Sequence, residues 1–341
     1  MGVLRLFLAI AVFIFHANIE IISGIHTLDG RTAVFCFFVV SGFYMEMVLT
    51  EKYTISRLGK DWIKKFWLAR FFRLYPTYII VGLLTIAVAV CTPFVDLPTA
   101  LVLQENTNLL AILKTVALWF LNLTMVGLNL PSTSDLLIGP GWSLGIETAF
   151  YVIAPFTLRL NTEKLLVLCF IGVALQLIPY GQHAPILFGF HFFLLGALAH
   201  RYNRVILSNV KKVWEPQTFI LILIVILFIT IALPNNIYIG IPNIHSHNLL
   251  DRFIYPFLLA GLIPLLHEYT KKNKTDYWIG QLSYPFYLLH ELIIDLFSNW
   301  QVATYKDVKQ LTLFFICIGM SAILVLVESK YVEPWRTKFM R

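Results

Sequence analysis

Apolar stretches close to the thickness of a lipid bilayer recur along the chain, and short segments carrying most of the Lys and Arg separate them. They lie at about residues 4–23, 33–49, 74–92, 109–127, 146–160, 164–180, 185–200, 217–234, 252–267, 280–298 and 311–328. A helix needs about 20 apolar residues to cross a hydrocarbon core of about 30 Å. Helices also satisfy their own backbone groups where no water can do so. With 58% hydrophobic residues, 13% charged residues and a mean hydropathy of +0.76, the chain has too little polar surface to cover a water-soluble body. The expected fold is all-α: a polytopic helical bundle, one transmembrane domain over residues 1–341, with about ten (ten to eleven) crossings.

The net charge of +7 is distributed as topology. Lys and Arg cluster at 52–73, 201–212, 271–274 and 330–341, which places those segments in the cytoplasm. Segments 92–108, 128–145 and 235–250 hold neither residue and should face the other side. The basic excess therefore does not point to nucleic acid. Eleven plain crossings conflict with this pattern, so 109–127, which carries Lys114, is expected to be re-entrant or to lie along the membrane. That leaves ten crossings with both termini cytoplasmic; the alternative is eleven spans with one loop against the charge bias. The first run has a single Arg ahead of it and no A-x-A site after Ser23, so it is expected to be retained rather than cleaved as a signal peptide. Cys36, Cys91, Cys169 and Cys317 sit in or at the ends of apolar runs with no C-x-x-C pair, and suggest neither a disulfide framework nor zinc.

Ionisable residues inside the runs are His16, Glu20, Glu46, Lys114, Glu147, His191, His290, Glu291 and Asp295. In lipid such groups face a bundle interior or a wet cavity and mark functional sites. Eleven helical steps put His16 roughly 16 Å beyond Arg5, near half depth. His290, ten residues into its run, reaches a similar depth from the same side. Glu20 shares a helix face with His16 and could orient its imidazole. Arg70 and Arg73 stand on one face of a helix entering the membrane, and two guanidiniums there can clamp phosphate oxygens. Glu147 lies one turn into a span that opens Gly-Pro-Gly-Trp-Ser. Each has a plainer reading: His16 as packing glue, the arginines as interfacial anchors, Glu147 as a complement to the helix dipole. His245 and His247 form H-x-H with no third ligand in view, which is weak evidence for a metal. No phosphate loop or dinucleotide fingerprint is present.

Several phrases occur in a telling order: Arg5 with His16, FFVVSGFYM (37–45), RFFRLYP (70–76), WSLGIETAFYVIAP (142–155), FFLLGALAH (192–200), LSYPFYLLH (282–290) and VEPW (332–335). Together they resemble the membrane-bound acyltransferase-3 family, over essentially the whole chain. That family O-acylates surface polysaccharides, lipopolysaccharide O-antigen and other glycans or lipids. Two departures stand out. The extracytoplasmic SGNH domain that some members carry after the last span is not seen, and the segment before the second span reads GRTAVF where many members have a Gly-Val pair.

The resemblance implies acyl transfer, with acetyl-CoA as the expected donor, to a hydroxyl of a cell-surface or lipid-linked glycan, at a bacterial inner membrane and without a metal. It implies His16 as general base oriented by Glu147 or Glu20, Arg70 and Arg73 on coenzyme A phosphates, and Arg5 supporting the cytoplasmic mouth. Ser41, Trp142, Ser143, Tyr284 and His290, within the shared phrases, should line the substrate cavity. An extracytoplasmic transferase is a possible partner. The competing reading is a transporter or flippase of a lipid-linked saccharide, whose path the same charges would line. A glycan polymerase would usually offer a long outer loop, and none is seen.

Overall fold

The computed structural model describes residues 1–19, 30–103, 108–177, 189–213, 254–298 and 306–340; of these, 85% are helical and none lies in a strand. The helices are α1 (Gly2–His16), α2 (Gly30–Glu51), α3 (Ile55–Leu58), α4 (Trp62–Cys91), α5 (Leu109–Thr124), α6 (Gly141–Thr157), α7 (Thr162–Leu177), α8 (Phe190–Arg201), α9 (Asn203–Val213), α10 (Tyr255–Thr270), α11 (Lys274–Ser298), α12 (Lys306–Val327) and α13 (Glu333–Met340). A π-helical turn, Glu328–Val332, joins the last two. Among the described residues, Gly30–Glu51, Ile55–Cys91 and Gln310–Lys338 are long and apolar enough to cross a membrane, and Gly2–His16 and Leu109–Thr124 are apolar but shorter. The protein is an all-α integral membrane protein. The expected crossing at 217–234 and the His245–His247 pair lie outside the described residues.

Two helices end earlier than their apolar runs, each for a local reason. α1, which begins the run at 4–23, ends at His16 because Asn18 takes the left-handed conformation, φ 49°. Asn18 N–H then bonds Phe15 C=O at 3.2 Å and Ile19 N–H bonds Ile14 C=O at 3.0 Å, a Schellman closure. His16 is thus the last residue of a helix about 22 Å long. α5 starts where the Asn108 side chain accepts the Ala111 N–H at 2.9 Å and stops at Met125, φ 60°. At about 24 Å it is shorter than the hydrocarbon core. Leu109, Leu110, Leu113, Val116 and Phe120 on it are exposed.

The chain divides into two compact units. The first holds the described residues within Met1–Arg57, Ala154–Gln182 and Leu187–Ser283. Its centre is the crossing of α2 and α8: a Cβ on Gly42 would overlap the Phe193 carbonyl, and one on Gly196 the Val39 carbonyl. Only glycine lets the two backbones approach this closely, as small residues do between membrane helices. Phe35 stacks on Phe192 and Phe38 on Phe193, each pair with ring centroids 4.6 Å apart. α1, α7 and α10 pack around this pair.

The second unit holds the described residues within Leu58–Ile153 and Tyr284–Arg341. α4 is its longest element, and α13 and the π turn pack against it. Asn122 of α5 is buried: its Oδ1 accepts the Leu137 N–H at 2.7 Å, and its carbonyl accepts the Tyr78 hydroxyl at 2.8 Å. These bonds hold the 136–138 segment, all buried, ahead of α6.

Candidate active site

Polar side chains of α4, α6, α11 and the π turn form a continuous seam within the second unit. Its origin is helical spacing. Ser143, Glu147 and Tyr151 recur every four residues on α6, and Tyr284, Tyr287, Glu291 and Asp295 follow at steps of three, four and four on α11. Each helix therefore presents one polar stripe on an otherwise apolar surface.

At one end of the seam the Gly139 N–H donates to the Glu291 carboxylate. A methyl group on Gly139 would overlap that carboxylate, so the glycine is what admits it. Next along, the Tyr287 and Ser143 hydroxyls lie 2.8 Å apart, and both donate to the Pro140 carbonyl, at 3.2 and 3.0 Å. His290 is fully buried, with Nδ1 2.6 Å from the Tyr287 carbonyl. A carbonyl can only accept, so Nδ1 carries the proton and a neutral ring presents Nε2 as an acceptor.

In the middle, Tyr284 donates its hydroxyl to the Leu74 carbonyl at 2.9 Å and lies within electrostatic reach of Glu147, Glu328, Tyr78 and Tyr151. Glu328 accepts a hydrogen bond from the Thr77 hydroxyl, whose side chain is fully buried. At the other end the Tyr151 hydroxyl donates to Glu147, and the ring lies within electrostatic reach of Arg73 and Arg70. Arg70 is half-buried with its guanidinium 5.8 Å from the centre of the Phe66 ring.

A covalent detail locks this end. The carbonyl of Tyr151 would ordinarily bond the N–H four residues on, but that residue is Pro155, which has none. The Trp67 indole N–H fills the vacancy at 3.0 Å. Trp67 stands one helical turn before Arg70, so the bond sets the register of the guanidiniums against the Tyr151 turn.

Of the residues singled out from the sequence, the second unit brings together Arg70, Arg73, Ser143, Glu147, Tyr284 and His290, with Trp142 half-buried at the start of α6. His16, Arg5 and Ser41 belong to the first unit. His16 is exposed at the end of α1, its ring 5.5 Å from that of Phe15. Arg5 lies across the start of α11, where a Cβ on Gly280 would overlap its guanidinium. Ser41 is half-buried in α2. Glu20 lies outside the described residues. The sequence reading passed over Glu328, Tyr151, Tyr78 and Tyr287. The four-residue step from Ser143 to Tyr151 was the available signal for Tyr151, and a carboxylate closing the last apolar run was the signal for Glu328.

Such a seam, with carboxylates, hydroxyls, a histidine and two half-buried guanidiniums among apolar helices, marks a candidate functional site in a membrane protein. The comparison with known families makes this specific. Residues 1–327 match the acyltransferase-3 family model, described as an acyltransferase domain, and the chain belongs to that family. It is a membrane acyltransferase. Neither the curated proteins nor the solved structures compared with it gave a match.

Proposed function

We propose that the protein transfers an acyl group, acetyl in the simplest case, from acyl-CoA to a hydroxyl of a cell-surface or lipid-linked glycan. The observation that carries this reading is that Arg70 and Arg73 lie within electrostatic reach of Tyr151, whose hydroxyl donates to Glu147, in an acyltransferase-3 chain. The guanidiniums offer forked donors to the donor's phosphates, and Arg5 supports the cytoplasmic mouth. In the reaction the acceptor oxygen bonds to the thioester carbonyl carbon and the carbon–sulfur bond breaks. The hydroxyl proton passes to His16 and then to the departing sulfur, so coenzyme A leaves as the thiol. His16 closes α1, where the negative end of the helix dipole lies; Glu20, four residues on in sequence, orients it. Trp142, Ser143, Tyr284 and His290 line the acceptor's cavity. The protein works in a bacterial inner membrane with both termini cytoplasmic, alone or with an extracytoplasmic transferase, and needs no metal.

The test is release of free thiol from acetyl-CoA by purified protein supplied with glycan extracted from its host, with the acylated glycan identified by mass spectrometry. A transporter of the glycan would release no thiol. Cysteine introduced near Lys60 or Lys272, in protein cleared of native cysteines, should be labelled only from the cytoplasm, and cysteine near Asp135 only from outside.

A further inference from the structure

Helix α12 passes at Glu328 into the π-helical turn Glu328–Val332, closed by the Glu333 N–H on the Glu328 carbonyl. Turns of this kind often mark functional positions. The Glu328 carboxylate accepts the hydroxyl of Thr77 on α4, within the same unit. Thr85 of α4 and Thr92 at its end donate instead to the carbonyls four residues back, at 3.0 and 2.8 Å, a local bond open to any helical threonine. Thr77 gives its hydroxyl to another element. Among the described residues Glu328 forms no ion pair: Arg336, the cation that acts on it, bonds Glu333. A half-buried carboxylate at the end of an apolar span, with one hydroxyl on it and no paired cation, keeps acceptor capacity to spare.

Its place along α4 says what that capacity is for. Arg70, Arg73 and Thr77 follow at steps of three and four, so they share one helix face. Thr77 lies about 6 Å beyond Arg73, on the side where α4 becomes apolar. Coenzyme A has the same order of groups. Its phosphates only accept hydrogen bonds and suit guanidiniums, whereas the pantetheine arm that leads from them to the thioester carries a hydroxyl and amide N–H groups, which donate. A carboxylate accepts only. We infer that Glu328, held by Thr77, is a donor-binding residue that accepts a hydrogen bond from the pantetheine arm of the acyl-CoA. This rests on the reading that Arg70 and Arg73 hold the phosphates. A sugar hydroxyl of the acceptor offers the same kind of bond, but the turn next to Arg73 is where the arm leaves the phosphates.

The experiment measures equilibrium binding to purified, detergent-solubilised protein by titration calorimetry, with coenzyme A and with its nucleotide part lacking the pantetheine arm. Glu328→Leu should weaken coenzyme A binding about tenfold, the value of a hydrogen bond to a charged group. The nucleotide should bind this variant as tightly as wild type or more tightly, which also shows that the variant is folded. Glu328→Gln keeps an acceptor without the charge and should fall between. The sign is decisive, because a carboxylate that bonds no part of the ligand would only repel the phosphates, and its loss would tighten both complexes. Coenzyme A bound by Glu328→Leu as tightly as by wild type, or more tightly, overturns the inference and leaves the arginine site standing. Equal weakening of both ligands overturns it as well, since the arm would then play no part. A raised KM for the acceptor glycan with coenzyme A binding unchanged would give the carboxylate to the acceptor and overturn it too. Unchanged binding of both ligands in Arg70→Ala and Arg73→Ala overturns the phosphate site and the inference with it.

Discussion

Asp276 caps helix α1 from 273 residues away in sequence: its Oδ1 accepts the Val3 N–H at 2.9 Å, and its Oδ2 the Gly2 N–H at 2.6 Å and the Met1 amino group. These are amides that a helix start leaves without internal partners. Asp276 stands ahead of the apolar part of α11. Burial raises its pKa, but the Gly2 N–H, the Met1 ammonium and the Val3 N–H outweigh burial and hold the carboxyl below its ordinary value of 3.8. A carboxyl with a depressed folded-state pKa contributes stability that is present above its unfolded value and lost as pH falls through the folded one. Asp276→Ala should therefore lower the unfolding midpoint in detergent, a loss of about 1 kcal/mol for the cap. The gap to wild type should be full at neutral pH and shrink below about pH 4. A gap independent of pH would mean that packing, not the carboxylate, is responsible.

Arg70→Ala and Arg73→Ala should each weaken acetyl-CoA binding by about 1.5–3 kcal/mol, the value of a hydrogen bond to a charged group. Protein level in the membrane should stay near normal. Arg73→Lys should recover only part of the loss, because an ammonium cannot reproduce a forked donor. Full recovery by Lys would reduce Arg73 to a point charge.

His16→Ala should lower turnover by about 10²- to 10⁴-fold, the range of general base catalysis. His16→Gln keeps hydrogen bonding but takes up no proton at neutral pH, and should be nearly as inactive. A packing role predicts the opposite order, with Gln close to wild type. If the histidine instead carried the acyl group as a nucleophile, donor without acceptor would give a thiol burst of no more than one per protein. Near-normal turnover in folded His16→Gln would dismiss both chemical roles.

Gly139→Ala should destabilise the second unit by about 1–3 kcal/mol, as overpacking does, because the new methyl meets the Glu291 carboxylate. Glu291→Ala in the same chain removes the obstacle and should restore most of the unfolding midpoint. Failure of that rescue would point to the backbone at Gly139 instead.

The helical class and the placement of the apolar runs were legible because bilayer length and hydropathy act over many residues at once. α2 at 30–51 falls over the run at 33–49, and α12 at 306–327 over that at 311–328. The end of α1 at His16 was not, because it turns on the conformation of one residue, Asn18. In the site, Arg70, Arg73 and Glu147 stood out as charges in or beside apolar runs. Tyr151, Tyr287 and Tyr78 did not, since a tyrosine in such a run reads as packing until its hydroxyl is seen to bond. The Trp67–Tyr151 bond could have been anticipated from Pro155, which must orphan the carbonyl four residues earlier; what fills that vacancy depends on which helix lies alongside.

The first unit holds a largely buried charge pair, Arg201 with Glu46, and its bonding fixes what its loss should do. Arg201 Nε donates to Glu46 at 2.7 Å, Nη1 to the Leu160 carbonyl at 2.8 Å and the Thr162 hydroxyl at 3.3 Å, and Nη2 to the Leu158 carbonyl at 2.7 Å. One guanidinium thus joins α2 and α8 to the turn between α6 and α7, and it takes up carbonyls that the end of α6 leaves over. The Glu46 side chain is only 3% exposed. Arg201→Ala would leave that carboxylate buried without its cation, at a cost of about 3–5 kcal/mol. Glu46→Gln removes the charge but leaves an acceptor for Arg201 and should cost less. Adding Glu46→Gln to Arg201→Ala should then recover part of the loss, since no buried charge remains. Arg201→Lys should fall between, because one ammonium cannot reach four acceptors in a plane. Unfolding midpoints of the four variants in detergent decide it: a negligible loss in Glu46→Gln, with the double variant as weak as Arg201→Ala, would show that the carbonyl bonds rather than the charge pair hold this junction.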